Sequence, residues 1–117
     1  MGTRVNSCQV VTVTNVYSNA YRPCDGQEVI LYDLDSDLVS AGGVITFHGG
    51  GAECTPTFDV YDQDGNVTTI TLENNTTVAR SFSSIRTVIG RCPFNPSGGT
   101  NCQMNIQGTL FFCICCQ

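Results

Sequence analysis

The cysteines are the residues of this chain best able to do chemistry, because eight of them occur in 117 residues. Cys113, Cys115 and Cys116 cluster at the C-terminal end, and Cys8 stands alone near the N-terminal end. Thiols at this density bind metal in a reducing compartment and form disulfides in an oxidising one. Structural zinc sites generally pair two C-x2–4-C motifs, whereas this sequence offers a single C-x-C-C cluster. We therefore expect disulfide chemistry, without a metal or another cofactor.

Cys92 and Cys102 are the strongest candidates for a disulfide within the chain. They flank the segment from Pro93 to Thr100, which is rich in proline and glycine. A bond between them would close the base of that segment and stabilise the fold by roughly 3 kcal/mol on a chain-entropy estimate.

Cys8 has a different setting, because residues 1–7 are short and polar and predict a disordered arm. A thiol on such an arm can reach a neighbouring chain, although a bond to Cys24 of the same chain is an alternative. Cys24 lies in a predicted turn and Cys54 follows a glycine run, so both are predicted to be accessible. Several exposed thiols on a β domain favour covalent assembly.

The C-terminal cysteines are predicted to lie on a strand, where side chains alternate between the two faces. Cys113 and Cys115 would then share one face, and Cys116 would take the other. Thiols of one strand rarely bond each other, so these are better placed to reach another strand or another chain. Cys54 and Cys116 are left without an assigned partner.

No catalytic or ion-binding constellation is evident elsewhere. His48 is the only histidine, and no cysteine is marked as its partner in a nucleophilic pair, so we interpret it as a half-exposed residue at a sheet edge. We predict that the chain is not an enzyme. Two aspartate groups fail the EF-hand spacing and are interpreted as solvated turns. They are Asp33, Asp35 and Asp37, and Asp62 with Asp64.

The charge balance limits the partners. Five basic and ten acidic residues give a net charge of -5, which argues against nucleic-acid binding. No apolar run is long enough to span a membrane, and the first residues lack the apolar core of a signal peptide. A chain made inside a cell without a signal peptide and oxidised outside it would fit both the cysteines and the N-terminus.

These residues must be positioned by β-structure, because Thr, Val, Ile, Tyr and Phe dominate and turn residues recur about every ten positions. We predict an all-β fold, an eight-stranded jelly-roll sandwich over residues 9–117 with a flexible N-terminal connector over residues 1–8. Asp64-Gly65 predicts a hairpin turn, and Gly49-Gly50-Gly51 predicts a loop. The predicted strands are Gln9–Val16, Glu28–Asp33, Gly43–His48, Thr57–Tyr61, Val67–Leu72, Val78–Phe82, Arg86–Gly90 and Gln103–Cys116.

Several degenerate motifs are spread over nearly the whole chain. They are Val5-Asn6-Ser7-Cys8 with Cys24, Ile30-Leu31-Tyr32, Asp37–Gly43, Asn75–Phe82, Ile85–Ile89, and Cys92 and Cys102 followed by Gly108–Ile114. In these motifs the chain resembles the subunits of endospore appendages, the pilus-like fibres on spores of Bacillus and its relatives.

The resemblance implies a jelly-roll subunit that pairs edge strands by β-augmentation and joins copies of itself, together with related appendage subunits, into a spore-surface fibre. It implies that Cys8 is the connector thiol and that Cys24 and one of Cys113 or Cys115 accept it in neighbouring subunits. Manufacture in the mother cell would remove the need for a signal peptide. A single connector cysteine is compatible with two arrangements of subunits in the fibre, a helical ramp and a stack of rings.

Three alternatives predict different behaviour. A cysteine-rich spore coat or exosporium protein would form a two-dimensional lattice. A secreted, disulfide-stapled binding module would be a monomer with every cysteine paired within the chain. A metal-binding domain would be purified with zinc.

Overall fold

The structure is a computed structural model that describes residues 8–34, 39–50, 54–72, 76–96, 99 and 102–115. Its secondary structure is all β, as predicted, and no helix in this part of the chain could cross a membrane. The strands are β1 (Cys8–Arg22), β2 (Glu28–Asp33), β3 (Val39–Gly50), β4 (Thr57–Tyr61), β5 (Val67–Thr71), β6 (Thr77–Phe82), β7 (Thr87–Arg91) and β8 (Cys102–Cys115).

The eight strands form two antiparallel sheets with the orders β1-β8-β3-β6 and β2-β7-β4-β5. Each strand reverses the direction of the one before it, and the chain passes repeatedly between the sheets. This order is compatible with the predicted jelly-roll sandwich. Four strands are at sheet edges: β1 and β6 in the first sheet, β2 and β5 in the second.

The core lies between the two sheets. Phe47 of β3 and Phe58 of β4 are both fully buried, and their ring centroids are 5.1 Å apart. Met104, Ile106 and Leu110 alternate along β8 and are buried from the same side, as the two-residue period of a strand requires. The alternating apolar residues thus hold β8 in the centre of its sheet.

The glycine run is one place where the predicted elements were wrong. Gly49 and Gly50 belong to β3 and pair with β8, whereas the sequence predicted a loop there. The reason is a close approach: a Cβ atom on Gly49 would meet Pro56 Cγ at 2.3 Å. Gly49 is therefore needed for packing against the segment before β4 and not for a turn.

The hairpin predicted at Asp64-Gly65 is confirmed, since β4 and β5 pair across it. Gly65 has a φ of 87°, a conformation that glycine adopts without strain. The Asp62 carboxylate accepts hydrogen bonds from the backbone N–H groups of Asp64 and Asn66, both at 2.9 Å. Asp62 therefore closes the turn, which supports the interpretation of this aspartate pair as structural.

Candidate functional site: the cysteine groups

Four cysteines form one cluster at one end of the sandwich. Cys24 is disulfide-bonded to Cys54, with Cα atoms 6.1 Å apart, and Cys92 is bonded to Cys102, with Cα atoms 6.2 Å apart. The Sγ atoms of Cys54, Cys92 and Cys102 all lie within 4.8 Å of one another. The two disulfides are therefore neighbours, and we refer to these four residues as the sulfur cluster.

The strand directions bring the sulfur cluster together. Cys24 follows β1, Cys54 precedes β4, Cys92 follows β7 and Cys102 begins β8. Because each strand reverses direction, all four positions lie at the same end of the sandwich. Backbone hydrogen bonds fix two of the connecting segments to each other. They run from Cys24 N to Gly99 O (3.1 Å), from Gly26 N to Cys92 O (2.8 Å) and from Asn95 N to Cys24 O (3.1 Å).

Two features of the sulfur cluster differ from what the sequence predicted, namely the burial of Cys24 and its bond to Cys54. Cys92, Cys102 and Cys24 are buried, with exposed fractions of 0%, 1% and 5%, and Cys54 is half-buried. The prediction that Cys24 is accessible was wrong. Its bond to Cys54 was not anticipated, because the two residues are 30 positions apart and meet only when the sheets pack. Its predicted role as an acceptor for a neighbouring chain stays a prediction.

A second cysteine group lies at the opposite end of the sandwich. Cys8 opens β1 and is the Cα partner of Cys115 in β8, and Val10 is the partner of Cys113. Directly opposed antiparallel residues have Cα atoms about 4.5–5.5 Å apart, a separation that a disulfide can bridge. The predicted connector over residues 1–8 thus overlaps β1 at Cys8, while residues 1–7 and Cys116 lie outside the described part of the chain. The strand register therefore makes an intrachain Cys8–Cys115 bond an alternative to the predicted intersubunit bond, which stays a prediction.

The remaining candidate residues have structural roles. His48 is half-buried, and its Nδ1 lies 2.8 Å from Thr77 Oγ1 on the neighbouring strand. The Asp33 carboxylate accepts a hydrogen bond of 2.9 Å from Thr87 Oγ1. Asp35 and Asp37 lie outside the described residues.

One charged group was missed by the sequence analysis. Asp59 of β4 is buried, forms an ion pair with Arg91 and accepts a hydrogen bond of 2.7 Å from Thr69 Oγ1. Burial alone would raise the pKa of Asp59, but the hydrogen bonds from Arg91 and Thr69 and the positive charge of Arg91 outweigh it and lower the pKa. An aspartate within an alternating strand carries no sequence signal for such a network, because its partners come from two other strands.

The fold and its cysteines define a small β-sandwich stapled at one end. Over 97% of its length the chain is similar in structure to a subunit of Bacillus endospore appendages, described as disulfide-linked pili, with a TM-score of 0.58, 12% identity and 98% of that chain covered. It is also similar to a protein of infectious bursal disease virus, strain Gx, with a TM-score of 0.49 and 15% identity over 89% of this chain and 32% of that one. No family model and no curated protein matches the sequence. The resemblance to appendage subunits is thus confirmed, and at this identity what is shared is the fold.

Proposed function

We propose that the chain is a structural subunit that polymerises with copies of itself into a disulfide-linked fibre on the spore surface. The observation that carries the proposal is the end-to-end similarity in fold to a subunit of disulfide-linked pili. The grouping of cysteines at both ends of the sandwich supports it, because each subunit then has thiols or disulfides where it can meet the next one.

Two sheet edges are suited to strand addition. β1 has 15 residues and carries no charge before Arg22, and β5 carries none. Tyr17 and Tyr21 of β1 are 68% and 62% exposed. Edge strands that stay unpaired in nature usually carry charges, proline or bulges, and an edge without charges is a template for another strand. A head-to-tail contact of this kind that does not close on itself generates a filament.

Covalent bonds would then join the layers of the fibre. In the proposal Cys8 of one subunit bonds Cys113, Cys115 or Cys24 of another. A bond between two free thiols, as with Cys113 or Cys115, passes two electrons and two protons to an external oxidant such as a small-molecule disulfide, which is reduced to two thiols. Reaction at Cys24 requires exchange, since Cys24 is already bonded. A Cys8 thiolate attacks Cys24 Sγ, the Cys8–Cys24 bond forms, and Cys54 leaves as a thiolate, so no external oxidant is consumed.

Denaturing gel electrophoresis with and without a reductant tests the proposal. We expect a ladder, or material too large to enter the gel, that collapses to 12.6 kDa on reduction. Tyr17→Lys should reduce assembly by placing a charge on the β1 edge, and Tyr17→Phe is the matched control that keeps the apolar edge. A monomer under both conditions would instead indicate a stapled binding module. Sheets in electron micrographs would indicate a coat-like lattice.

A further inference from the structure

We propose that the reduced chain binds one zinc ion through the four thiolates of the sulfur cluster. This inference does not depend on the proposed function, because it concerns the chain before its disulfides form. No metal site was predicted from the sequence, since Cys24, Cys54, Cys92 and Cys102 form no recognisable motif. The fold nevertheless brings four soft ligands to one place, and thiolates are the ligands that structural zinc sites prefer.

Three of the four sulfur atoms lie at separations close to those of a tetrahedral site, and the fourth is bonded to one of them. Zinc–sulfur bonds of about 2.3 Å place the sulfur atoms of a tetrahedron about 3.8 Å apart. The Sγ atoms of Cys54, Cys92 and Cys102 already lie within 4.8 Å of one another, and Cys24 Sγ is bonded to Cys54 Sγ. In the proposal, reduction frees the four sulfur atoms and short side-chain movements bring them to this spacing around the ion.

Backbone hydrogen bonds, and not the disulfides alone, hold the segments around the cluster together. Three backbone hydrogen bonds join the segment after β1, which contains Cys24 and Gly26, to the segment after β7, which contains Cys92, Asn95 and Gly99. Cys102 is fixed by its place in β8, opposite Arg22. These backbone contacts position Cys24, Cys92 and Cys102, and ligands held in place by the backbone lower the entropic cost of binding an ion.

Arg22 provides a second observation that favours anionic sulfur. It faces the same side of the sheet as its partner Cys102, and its Nε is a buried donor without a hydrogen-bond partner among the described residues. Four thiolates around Zn²⁺ carry a net charge of about -2. The positive charge of Arg22, at the strand position opposite Cys102, would offset part of this charge, as second-shell groups of metal sites do.

Oxidation and zinc binding exclude each other at this cluster. A small-molecule disulfide, RSSR, can convert one state to the other. Two RSSR molecules oxidise the four thiolates to two protein disulfides and are themselves reduced to four RSH with the uptake of four protons, and Zn²⁺ is released without changing its oxidation state.

Metal titration of the full-length, fully reduced chain tests the proposal. We expect one Zn²⁺ per chain in competition with a chromophoric chelator, and Co²⁺ in its place should give the visible bands of tetrahedral thiolate coordination. Cys54→Ala should weaken binding at least about tenfold, whereas Cys116→Ala, the matched control, should bind as the wild type does. The oxidised chain should bind no zinc.

Alkylation of the wild-type chain keeps the test decisive if a variant fails to fold. Zinc should protect Cys24, Cys54, Cys92 and Cys102 from alkylation and leave Cys8 reactive. The proposal is overturned if the reduced chain loses all zinc to the chelator. It is equally overturned if protection falls on Cys113, Cys115 and Cys116.

Discussion

Removal of the Cys24–Cys54 disulfide should lower the free energy of unfolding by an amount that the chain separation sets. The bond joins residues 30 positions apart. Closing a loop of that length removes enough entropy from the unfolded chain to stabilise the fold by about 3.7 kcal/mol on the chain-entropy model. The Cys92–Cys102 bond spans 10 positions and should contribute about 2.8 kcal/mol on the same model. The double variant Cys24→Ala/Cys54→Ala should therefore be less stable than the double variant Cys92→Ala/Cys102→Ala by about 1 kcal/mol.

Urea unfolding of the oxidised variants measures this difference. At a pH of about 5 the thiolate fraction is too small for disulfide exchange during the experiment. With a urea dependence of about 1–3 kcal/mol per molar, the Cys24→Ala/Cys54→Ala midpoint should fall by roughly 1–4 M. A loss below about 1 kcal/mol would refute the reasoning, since the bond would then not constrain the unfolded chain.

Two further variants probe the packing around the sheets. Asp59→Asn removes the ion pair with Arg91 and should cost about 1.5–3 kcal/mol. Because the folded-state pKa of Asp59 is lowered, this stabilisation is present above the unfolded pKa and is lost as the pH falls through the folded pKa. The Asp59→Asn variant should therefore lose less stability on acidification than the wild-type chain does. Thermal melts at a series of pH values measure this difference, and equal pH profiles for the two chains would contradict the lowered pKa of Asp59. Gly49→Ala should cost about 1–3 kcal/mol, because its Cβ would meet Pro56, and chemical unfolding checks it. Gly65→Ala is the control for Gly49→Ala, since no atom lies within 4 Å of a Cβ at Gly65 and the variant should show only the strain of a positive φ. If both variants lose the same free energy of unfolding, a clash with Pro56 does not explain the loss at Gly49.

Local sequence patterns predicted the strands best where turn residues bound them on both sides. The observed β2 and β4 have the predicted bounds, because each is a short apolar run between polar or proline-containing segments. β1 extends through Ser18-Asn19-Ala20, residues with low strand preference, to Arg22. Pairing with β8 over its full length overrides that preference, so its end could not be read from the local sequence.

Which cysteines meet could be predicted only from the order and direction of the strands. Cys24, Cys54 and Cys92 fall in connections that follow odd-numbered strands, and Cys102 begins the strand after such a connection. In an antiparallel sandwich these positions all lie at one end. The predicted strand order therefore contained a signal that they would meet. What it did not contain is which sulfur atoms approach closely, because that distance is set by how the two sheets pack.

A mixed-isotope disulfide map measures whether Cys8 joins different chains. Chains labelled with ¹⁴N and with ¹⁵N are mixed in the reduced state, oxidised together, digested without reduction and analysed by mass spectrometry. We predict disulfide-linked peptides in which the Cys8 fragment carries one label and the fragment with Cys24, Cys113 or Cys115 carries the other. If every Cys8 link joins fragments of the same label, as a Cys8–Cys115 bond within one chain would, the disulfide-linked fibre proposed for this protein is contradicted.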